Sequence, residues 1–388
     1  MILTHCAVCA TDLGLTRGKK CGRCSTRYCG AACQVQHWKE GGHDQLCKKI
    51  KRSGGAEQYN ADQRYTKAVA VAAEACAEDT KGQTCYICTQ ALHWKTKEGL
   101  VRGCSCRGTA GFVHVSCLAE QAKILVAEAE ENHLDDKLDE RWARWNTCSL
   151  CEQEYHGVVA CALGWACWKT YLGLSETDQV RLVAMDQLGN GLHEAGNYEA
   201  LSVREAILSM LRRIGSPEDD MLAGQSNLAS SYEAVGRVEE CLRIRRDVYS
   251  GRLRLHGEEH LQTLLAANNY ATSLVQLQHF EEAKTLLRRI TPVARRVLGD
   301  NHDITLKMRF GYAASICFDT GSTLDDLRGA VTTLEETART ARRVLGGAHP
   351  LTTVIERQLR ASRATLSARD SDVGSITEAF AAMTPSPR

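Results

Sequence analysis

A chain of 388 residues exceeds one ordinary hydrophobic core, so two or three domains are expected. Its 48 Lys and Arg nearly balance its 47 Asp and Glu, which leaves no broad basic field for nucleic acid and no acidic tail for a charged partner. No apolar run approaches the roughly 18 residues that a membrane span needs, and Met1 to Ala10 lacks the apolar stretch of a secretory signal.

The compartment expected is therefore reducing, cytoplasmic or nuclear and not secreted. There, 19 cysteines point to metal ligation rather than disulfides, and 17 of them lie at or before Cys167. The second half is rich in Ala, Leu, Arg and Glu, a helical composition.

The first cluster reads Cys6-x-x-Cys9, Cys21-x-x-Cys24, Cys29-x-x-x-Cys33 and His43-x-x-x-Cys47. These eight donors suffice for two closed tetrahedral sites. Cys29 and Cys33 are one helical turn apart, as are His43 and Cys47, so each pair shares a helix face. So short a segment cannot bury enough apolar surface to fold unaided, and metal would supply the missing stability. The order, with Tyr28-Cys29, Cys33-Gln34 and His37-Trp38, resembles the MYND zinc finger. The resemblance implies interleaved pairs: Cys6, Cys9, Cys29 and Cys33 on one Zn²⁺, and Cys21, Cys24, His43 and Cys47 on the other. His37 is a rival ligand, placed by the resemblance in a packed His-Trp element. The family implies a module that grips short proline-containing peptides. This finger is assigned to residues 1–50, and 51–80 to a helical linker whose short basic run, Lys48 to Arg52, reads as a solvated helix end.

Residues 81–157 repeat the logic with new spacing: Cys85-x-x-Cys88, Cys104-x-Cys106, His114-x-x-Cys117 and Cys148-x-x-Cys151. The pattern resembles the RING-CH (RING-variant) finger, through Cys85-Tyr86-Ile87-Cys88, Phe112-Val113-His114 and Trp145-x-x-Cys148. It implies that Cys85, Cys88, His114 and Cys117 hold one Zn²⁺ while Cys104, Cys106, Cys148 and Cys151 hold another, for four ions per chain. It also implies that Ile87 docks a ubiquitin-conjugating enzyme. Three features depart from the family pattern. The interval from Cys117 to Cys148 is long, with Glu120 to Trp145 reading as an inserted helix. Gln121 stands where relatives carry Trp, and Glu152 where active ligases often carry a basic residue.

From about residue 180 the pattern becomes a long helical repeat. Ala294-Arg-Arg-Val-Leu-Gly299 recurs as Ala341-Arg-Arg-Val-Leu-Gly346, and Gly257, Gly299 and Gly346 are each followed three residues later by His260, His302 and His349. A fixed period with paired helices means stacked repeats. The pattern resembles the tetratricopeptide repeat in the form found in kinesin light chains. Four units are expected near 179–215, 218–257, 260–299 and 302–346, with an expansion around Gly321 to Asp325. A capping helix from Pro350 to about Leu366 closes the repeat region, 179–366, and residues 367–388 are expected to be disordered. Asn227 and Asn269 either hydrogen-bond a peptide backbone on the concave face or satisfy neighbouring helix ends. The three histidines are expected at helix starts, and Cys76, Cys161, Cys167, Cys241 and Cys317 as small core residues.

The fold class expected is thus small zinc-stabilised α+β fingers followed by an all-α tetratricopeptide-repeat solenoid. The partners expected are other proteins or peptides, with no nucleic acid and no membrane. No nucleophile elbow, phosphate loop or paired-carboxylate site is recognisable, and closed zinc sites lack the open position that metal hydrolysis needs. Two functions are compatible with these modules. One is a RING-type ubiquitin ligase whose repeats recruit a substrate. The alternative is a non-catalytic adaptor binding partners through the MYND finger and the repeats.

Overall fold

The computed structural model describes residues 4–14, 17–175, 177–347 and 349–383. The chain divides into two units, Met1–Val235 and Gly236–Arg388.

The first unit begins with a two-stranded antiparallel ribbon, β1 (Lys19–Lys20) and β2 (Arg27–Tyr28), followed by α1 (Ala31–Lys39) and α2 (His43–Arg52). Among the described residues, Leu13, Tyr28, Ile50 and Ala56 accompany the cysteines Cys6, Cys21, Cys24 and Cys47 in its buried cluster. Buried Arg27 donates through Nη1 to the carbonyl of Gly14 at 2.8 Å and through Nη2 to that of Arg17, satisfying loop carbonyls that lack a ladder partner. The segment expected to be a linker is α3 (Ala56–Ala75). It is docked rather than loose, because Ala61, Val69 and Ala72 are buried. Its N-terminal amide, from Ala56, donates to the carbonyl of Cys24 at 2.9 Å.

The second finger supplies α4 (Val115–Glu131) and α5 (Asp135–Trp142), ending in a 3-10 turn at Ala143–Trp145. The inserted segment is therefore two helices, divided at Asn132 to Leu134 where His133 adopts a φ of 53°. Beyond it, α6 (Gly157–Tyr171) is almost wholly buried and joins the zinc-finger region to α7 (Gln179–Glu194), α8 (Glu199–Ile214) and α9 (Glu218–Ala234). Trp145, Trp165 and Trp168 pack there with Met185, Leu188 and Leu192. Ion pairs at the rim pin α3 to the later helices: Lys169 to Asp62 at 3.3 Å and Arg64 to Glu199 at 2.8 Å. Close approach of α6 and α7 depends on two glycines. A Cβ on Gly191 would lie 2.5 Å from the Ala160 carbonyl oxygen, and one on Gly164 2.9 Å from that of Gln187.

The second unit is α10 (Val238–His256), α11 (Leu261–Gln276), α12 (Phe280–Leu298), α13 (Asp303–Phe318), α14 (Leu324–Leu345) and α15 (Pro350–Met383). Each helix packs on the next in sequence, and α11 also touches α13 as α13 touches α15, the arrangement of stacked helical hairpins. The recurring Leu-Gly-x-x-His acquires a physical meaning. Gly257, Gly299 and Gly346, with φ of 79°, 86° and 87°, end α10, α12 and α14 in a backbone region costly for other residues. His260, His302 and His349 then accept through Nδ1 from the backbone N–H two residues on, each at 3.2 Å, satisfying an orphan donor at the start of the next helix. The expansion before α14 closes on itself through a capping box between Thr323 and Asp326.

The final helix runs past Leu366, where the cap was expected to end. Arg369 donates to the Ser322 carbonyl at 3.1 Å and Arg328 to Asp370 at 2.7 Å, so polar contacts hold residues that were assigned to the disordered tail. Residues 384–388 of that tail lie outside the described residues. Among the described residues no helix is long and apolar enough to cross a membrane.

Gly191→Ala is expected to destabilise the chain by about 1–3 kcal/mol, because the Ala160 carbonyl cannot yield without moving a helix backbone. Gly329→Ala in α14, where a Cβ meets nothing within 4 Å, is expected to be neutral or stabilising by up to about 1 kcal/mol. Unfolding midpoints followed by circular dichroism distinguish the two.

Candidate metal centres

Four short loops in the two fingers share one backbone design. In each Cys-x-x-Cys, the first cysteine N–H donates to the carbonyl five residues on: Cys6 to Thr11 at 2.9 Å, Cys21 to Thr26 at 2.8 Å, Cys85 to Gln90 at 3.0 Å and Cys148 to Gln153 at 2.9 Å. The residue after the second cysteine then turns back to the first. Ala10, Ser25, Thr89 and Glu152 donate to the carbonyls of Cys6, Cys21, Cys85 and Cys148 at 3.2, 2.9, 2.8 and 3.0 Å. That return requires a left-handed residue, and all four, none of them glycine, have φ between 54° and 62°. The turn aims loop N–H groups at sulfur: Ile87 and Leu150 donate to Cys85 Sγ and Cys148 Sγ, each at 3.4 Å. Four residues thus hold strained backbone so that two thiols can face one point.

The remaining donors come from helices and a bridge. Cys33 lies in α1, and His43 and Cys47 lie one turn apart in α2. His114 caps α4 and Cys117 lies in its first turn. Reciprocal hydrogen bonds between Val101 and Val113, at 2.8 and 3.1 Å, bring the strand-like approach to His114 alongside the chain before Cys104. Gly111, with φ of 85°, lets the backbone pass under Cys106.

The structure gathers the sixteen sequence-predicted side chains into four groups of four, each with all donor atoms within 4.8 Å of one another. The groups are Cys6, Cys9, Cys29 and Cys33; Cys21, Cys24, His43 and Cys47; Cys85, Cys88, His114 and Cys117; and Cys104, Cys106, Cys148 and Cys151. Tetrahedral Zn²⁺, with Zn–S of about 2.3 Å and Zn–N of about 2.0–2.1 Å, sets S···S near 3.8 Å and S···N near 3.6 Å. The separations fit: Cys33–Cys9 at 3.7 Å, Cys21–Cys47 and Cys106–Cys148 at 3.8 Å, Cys117 Sγ to His114 Nδ1 at 3.6 Å and Cys24 Sγ to His43 Nε2 at 3.4 Å. His43 therefore offers Nε2 and His114 offers Nδ1. Nε2 of His114 lies 3.4 Å from the Ala91 carbonyl, which fixes the ring. His37, the rival ligand, belongs to no group. Its Nδ1 is 3.0 Å from the Tyr28 hydroxyl.

The acidities within each group diverge. Hydrogen bonds from the Thr11 hydroxyl and N–H bring Cys9 down to about 6. Burial raises Cys21, but hydrogen bonds from His43 and from the N–H groups of Arg23 and Cys24 outweigh it and leave it at about 6. Burial likewise opposes, and the N–H groups of Leu150 and Cys151 overcome, to give Cys148 about 7. Their neighbours resist ionisation. Cys33 is pushed up to about 12 through its contact with Cys29, and burial drives Cys47 and Cys104 up to about 11. Thiolates this close repel one another, and a divalent cation is the charge that lets all the donors of a group ionise together. The donor chemistry fits zinc.

The remaining sequence-predicted positions lie on loop tips and in the repeats. Ile87 sits at the tip of the Cys85–Cys88 loop and is 38% exposed. Leu150, which sequence reasoning missed, sits at the matching position of the Cys148–Cys151 loop and is 51% exposed. The Tyr86 hydroxyl and Ser149 Oγ, 3.3 Å apart, tie the two loops together. The signal for Leu150 was present in the sequence, since it is an apolar residue between two ligands. Trp38, expected to be packed, is 45% exposed with Val35 on the same helix at 51%. Asn227 donates to Asp186 Oδ1 at 3.3 Å, and that carboxylate also receives buried Arg204. Asn269 is half-buried and its carbonyl accepts from Arg245 at 3.3 Å.

Gly111→Ala tests how tightly the fourth group is built. Its Cβ would fall 2.6 Å from Cys106 Cβ and 3.0 Å from Cys106 Sγ. The variant is expected to lose about one metal equivalent by elemental analysis, since a ligand displaced from a closed tetrahedral site leaves it incomplete. Gly108→Ala, whose Cβ meets nothing within 4 Å, is expected to keep its metal despite the strain of a φ of 64°.

The family models that the sequence matches span all sixteen grouped residues. Residues 6–47 match the family model of the MYND finger, 85–153 that of the RING-variant domain and 220–296 that of the tetratricopeptide repeat. No curated protein matches the chain. Solved structures that resemble it include kinesin light chain TPR-like repeats of Podosopora anserina, 17% identical over 59% of this chain and 97% of that one, with a TM-score of 0.39. BtubC (BKLC) from P. vanneervenii is 14% identical over 71% of this chain and 95% of that one, with a TM-score of 0.40. The chain carries a MYND finger, a RING-variant domain and tetratricopeptide repeats, the composition of a zinc-binding protein-interaction protein.

Proposed function

We propose that this chain is a RING-type ubiquitin ligase holding four Zn²⁺ ions. The MYND finger (1–50) and the repeats (179–366) select protein partners, and the RING-variant domain (81–157) receives a ubiquitin-conjugating enzyme. The zinc ligands are the sixteen grouped side chains. Asn227 and Asn269 are proposed to contact a bound peptide in the repeats.

The observation that carries the reading is the pair of exposed apolar tips, Ile87 and Leu150, on two loops joined by Tyr86 and Ser149. Water-exposed aliphatic side chains on loops clamped at their bases form a rigid docking surface, which loses little entropy when a partner covers it. Such a domain supplies no nucleophile. It lowers the barrier by restricting a thioester-linked ubiquitin to a reactive arrangement, so positioning is its whole contribution.

A second reading, a non-catalytic adaptor, draws on two residues. Glu152 places an exposed carboxylate directly after the last grouped cysteine, and the half-buried residue of α4 at the position where relatives carry Trp is Gln121, which has no aromatic ring. Glu152 cannot imitate a basic residue that steadies ubiquitin, so turnover by the wild-type chain is expected to be slow.

Elemental analysis is expected to give four zinc ions per chain. Ligands must be deprotonated to bind, so acid or a strong chelator is expected to release metal and unfold the fingers. Two ions or fewer would mean that one finger is misassigned. Lysine-dependent ubiquitin discharge across a panel of conjugating enzymes tests the activity. Ile87→Ala or Leu150→Ala is expected to slow discharge about tenfold, as loss of an interface anchor does, and Glu152→Arg to accelerate it. No stimulation by zinc-loaded wild type or by Glu152→Arg would leave the adaptor reading.

A further inference from the structure

In the second unit, α14 and α15 lie antiparallel and are stapled at two points. Arg342 donates from Nε and Nη2 to the two carboxylate oxygens of Glu356 at 2.8 and 2.9 Å. Arg363 donates to Glu335 Oε1 at 3.1 and 2.6 Å. Between these pairs runs a groove of about 380 Å³, floored by buried Ala338 and Leu359 and flanked by Arg339 and Arg360.

The charge in this groove does not balance. Glu335 and Glu356 are committed to the two staples, and Glu336, the next carboxylate on α14, is drawn away to Arg309 at 2.8 Å. Arg339 spends only Nε, on its own helix, donating to the Glu335 carbonyl at 3.4 Å. Arg360 makes no hydrogen bond or ion pair among the described residues. Two guanidinium groups thus line one groove with no ion pair to a carboxylate among the described residues, and against their two charges the groove offers only the second oxygen of Glu335, whose first oxygen takes both bonds from Arg363. Each is a planar fork that favours paired oxygen acceptors.

We propose that this groove binds a phosphorylated side chain of a partner peptide, with Arg339 and Arg360 on the phosphate and Ala338 and Leu359 under a flanking apolar residue. One carboxylate offers two oxygens and a single charge. A phosphomonoester offers three oxygens and close to two charges, which matches two forks and neutralises both. The apolar floor favours a peptide over a free anion, because it gives adjoining side chains area to bury.

The test uses the full zinc-loaded chain and fluorescence anisotropy. The probe is a fluorescein-labelled alanine nonapeptide with a central phosphoserine flanked by two leucines. Saturable binding is expected, about tenfold weaker for the unphosphorylated peptide and about tenfold weaker for the Arg339→Gln/Arg360→Gln chain, as charge-assisted hydrogen bonds are lost. Arg357→Gln, an exposed arginine of α15 that does not line the groove, is expected to bind like wild type. Circular dichroism of the double variant is expected to match wild type, since both side chains are exposed. Equal binding of the two peptides, or undiminished binding by the double variant, overturns the proposal. Inorganic phosphate competing as effectively as the phosphopeptide overturns its assignment to a peptide.

Discussion

The repulsion among four donors aimed at one point is the constraint on which the amino-terminal fingers depend. Cys21, Cys24, His43 and Cys47 are all buried together, and nothing apolar lies between them. Left as thiols they offer one another only weak hydrogen bonds, and left as thiolates they drive the loops apart. The four left-handed residues at Ala10, Ser25, Thr89 and Glu152 add backbone strain of the same sign. A divalent cation reverses both terms, because it makes convergence favourable and holds the turns closed. Among its described residues the first finger has little else, since Leu13, Tyr28, Ile50 and Ala56 are a small buried apolar complement for such a segment.

The second finger stands on the same chemistry and also seats the helices that come after it in the chain. His156 donates to the Gly103 carbonyl at 2.8 Å, and a Cβ on Gly103 would meet Val159 at 2.5 Å, so the start of α6 rests against the loop that carries Cys104. From there α6 contributes to two buried clusters, one shared with the finger and one shared with α7 and α8. Helix α3 closes the other side, its Tyr65 hydroxyl 2.9 Å from Ser116 at the start of α4. Metal-held loops are thereby continuous with an ordinary hydrophobic core, and loss of one group is felt beyond its own ligands.

The second unit is stable for other reasons. Its helices bury Leu264, Leu274, Leu287, Ile290, Leu306 and Leu334 between neighbours, and glycine and histidine punctuate the turns. Stacking of this kind adds stability repeat by repeat. Its exposed faces are then free to vary in charge, and the arginines of α14 and α15 use that freedom.

The ligand pairs were legible because zinc chemistry is local in residue type and spacing, while their interleaving into four groups followed from the resemblance to the two finger families. Two thiols separated by two residues can close one loop, and a histidine or cysteine one turn away shares a helix face. The repeat boundaries were legible for a similar reason, since Gly257, Gly299 and Gly346 are demanded by backbone geometry that few other residues adopt. Several features depended instead on what lies nearby in space. Position in space, not spacing, removes His37 from contention, since its ring joins none of the four groups and its Nδ1 faces the Tyr28 hydroxyl. Burial against α6 turns a supposed linker helix into part of a core, and contacts with Arg328 and Ser322 hold α15 beyond Leu366. The pairing of Ile87 with Leu150 arises because two loops 63 residues apart in sequence are tied by one hydrogen bond. Local spacing, read with the family resemblance, determined which residues can hold a metal; long-range packing decided which ring nitrogens they offer and which surfaces the metal-held loops present, because orientation and exposure are properties of neighbours that the sequence does not place in order.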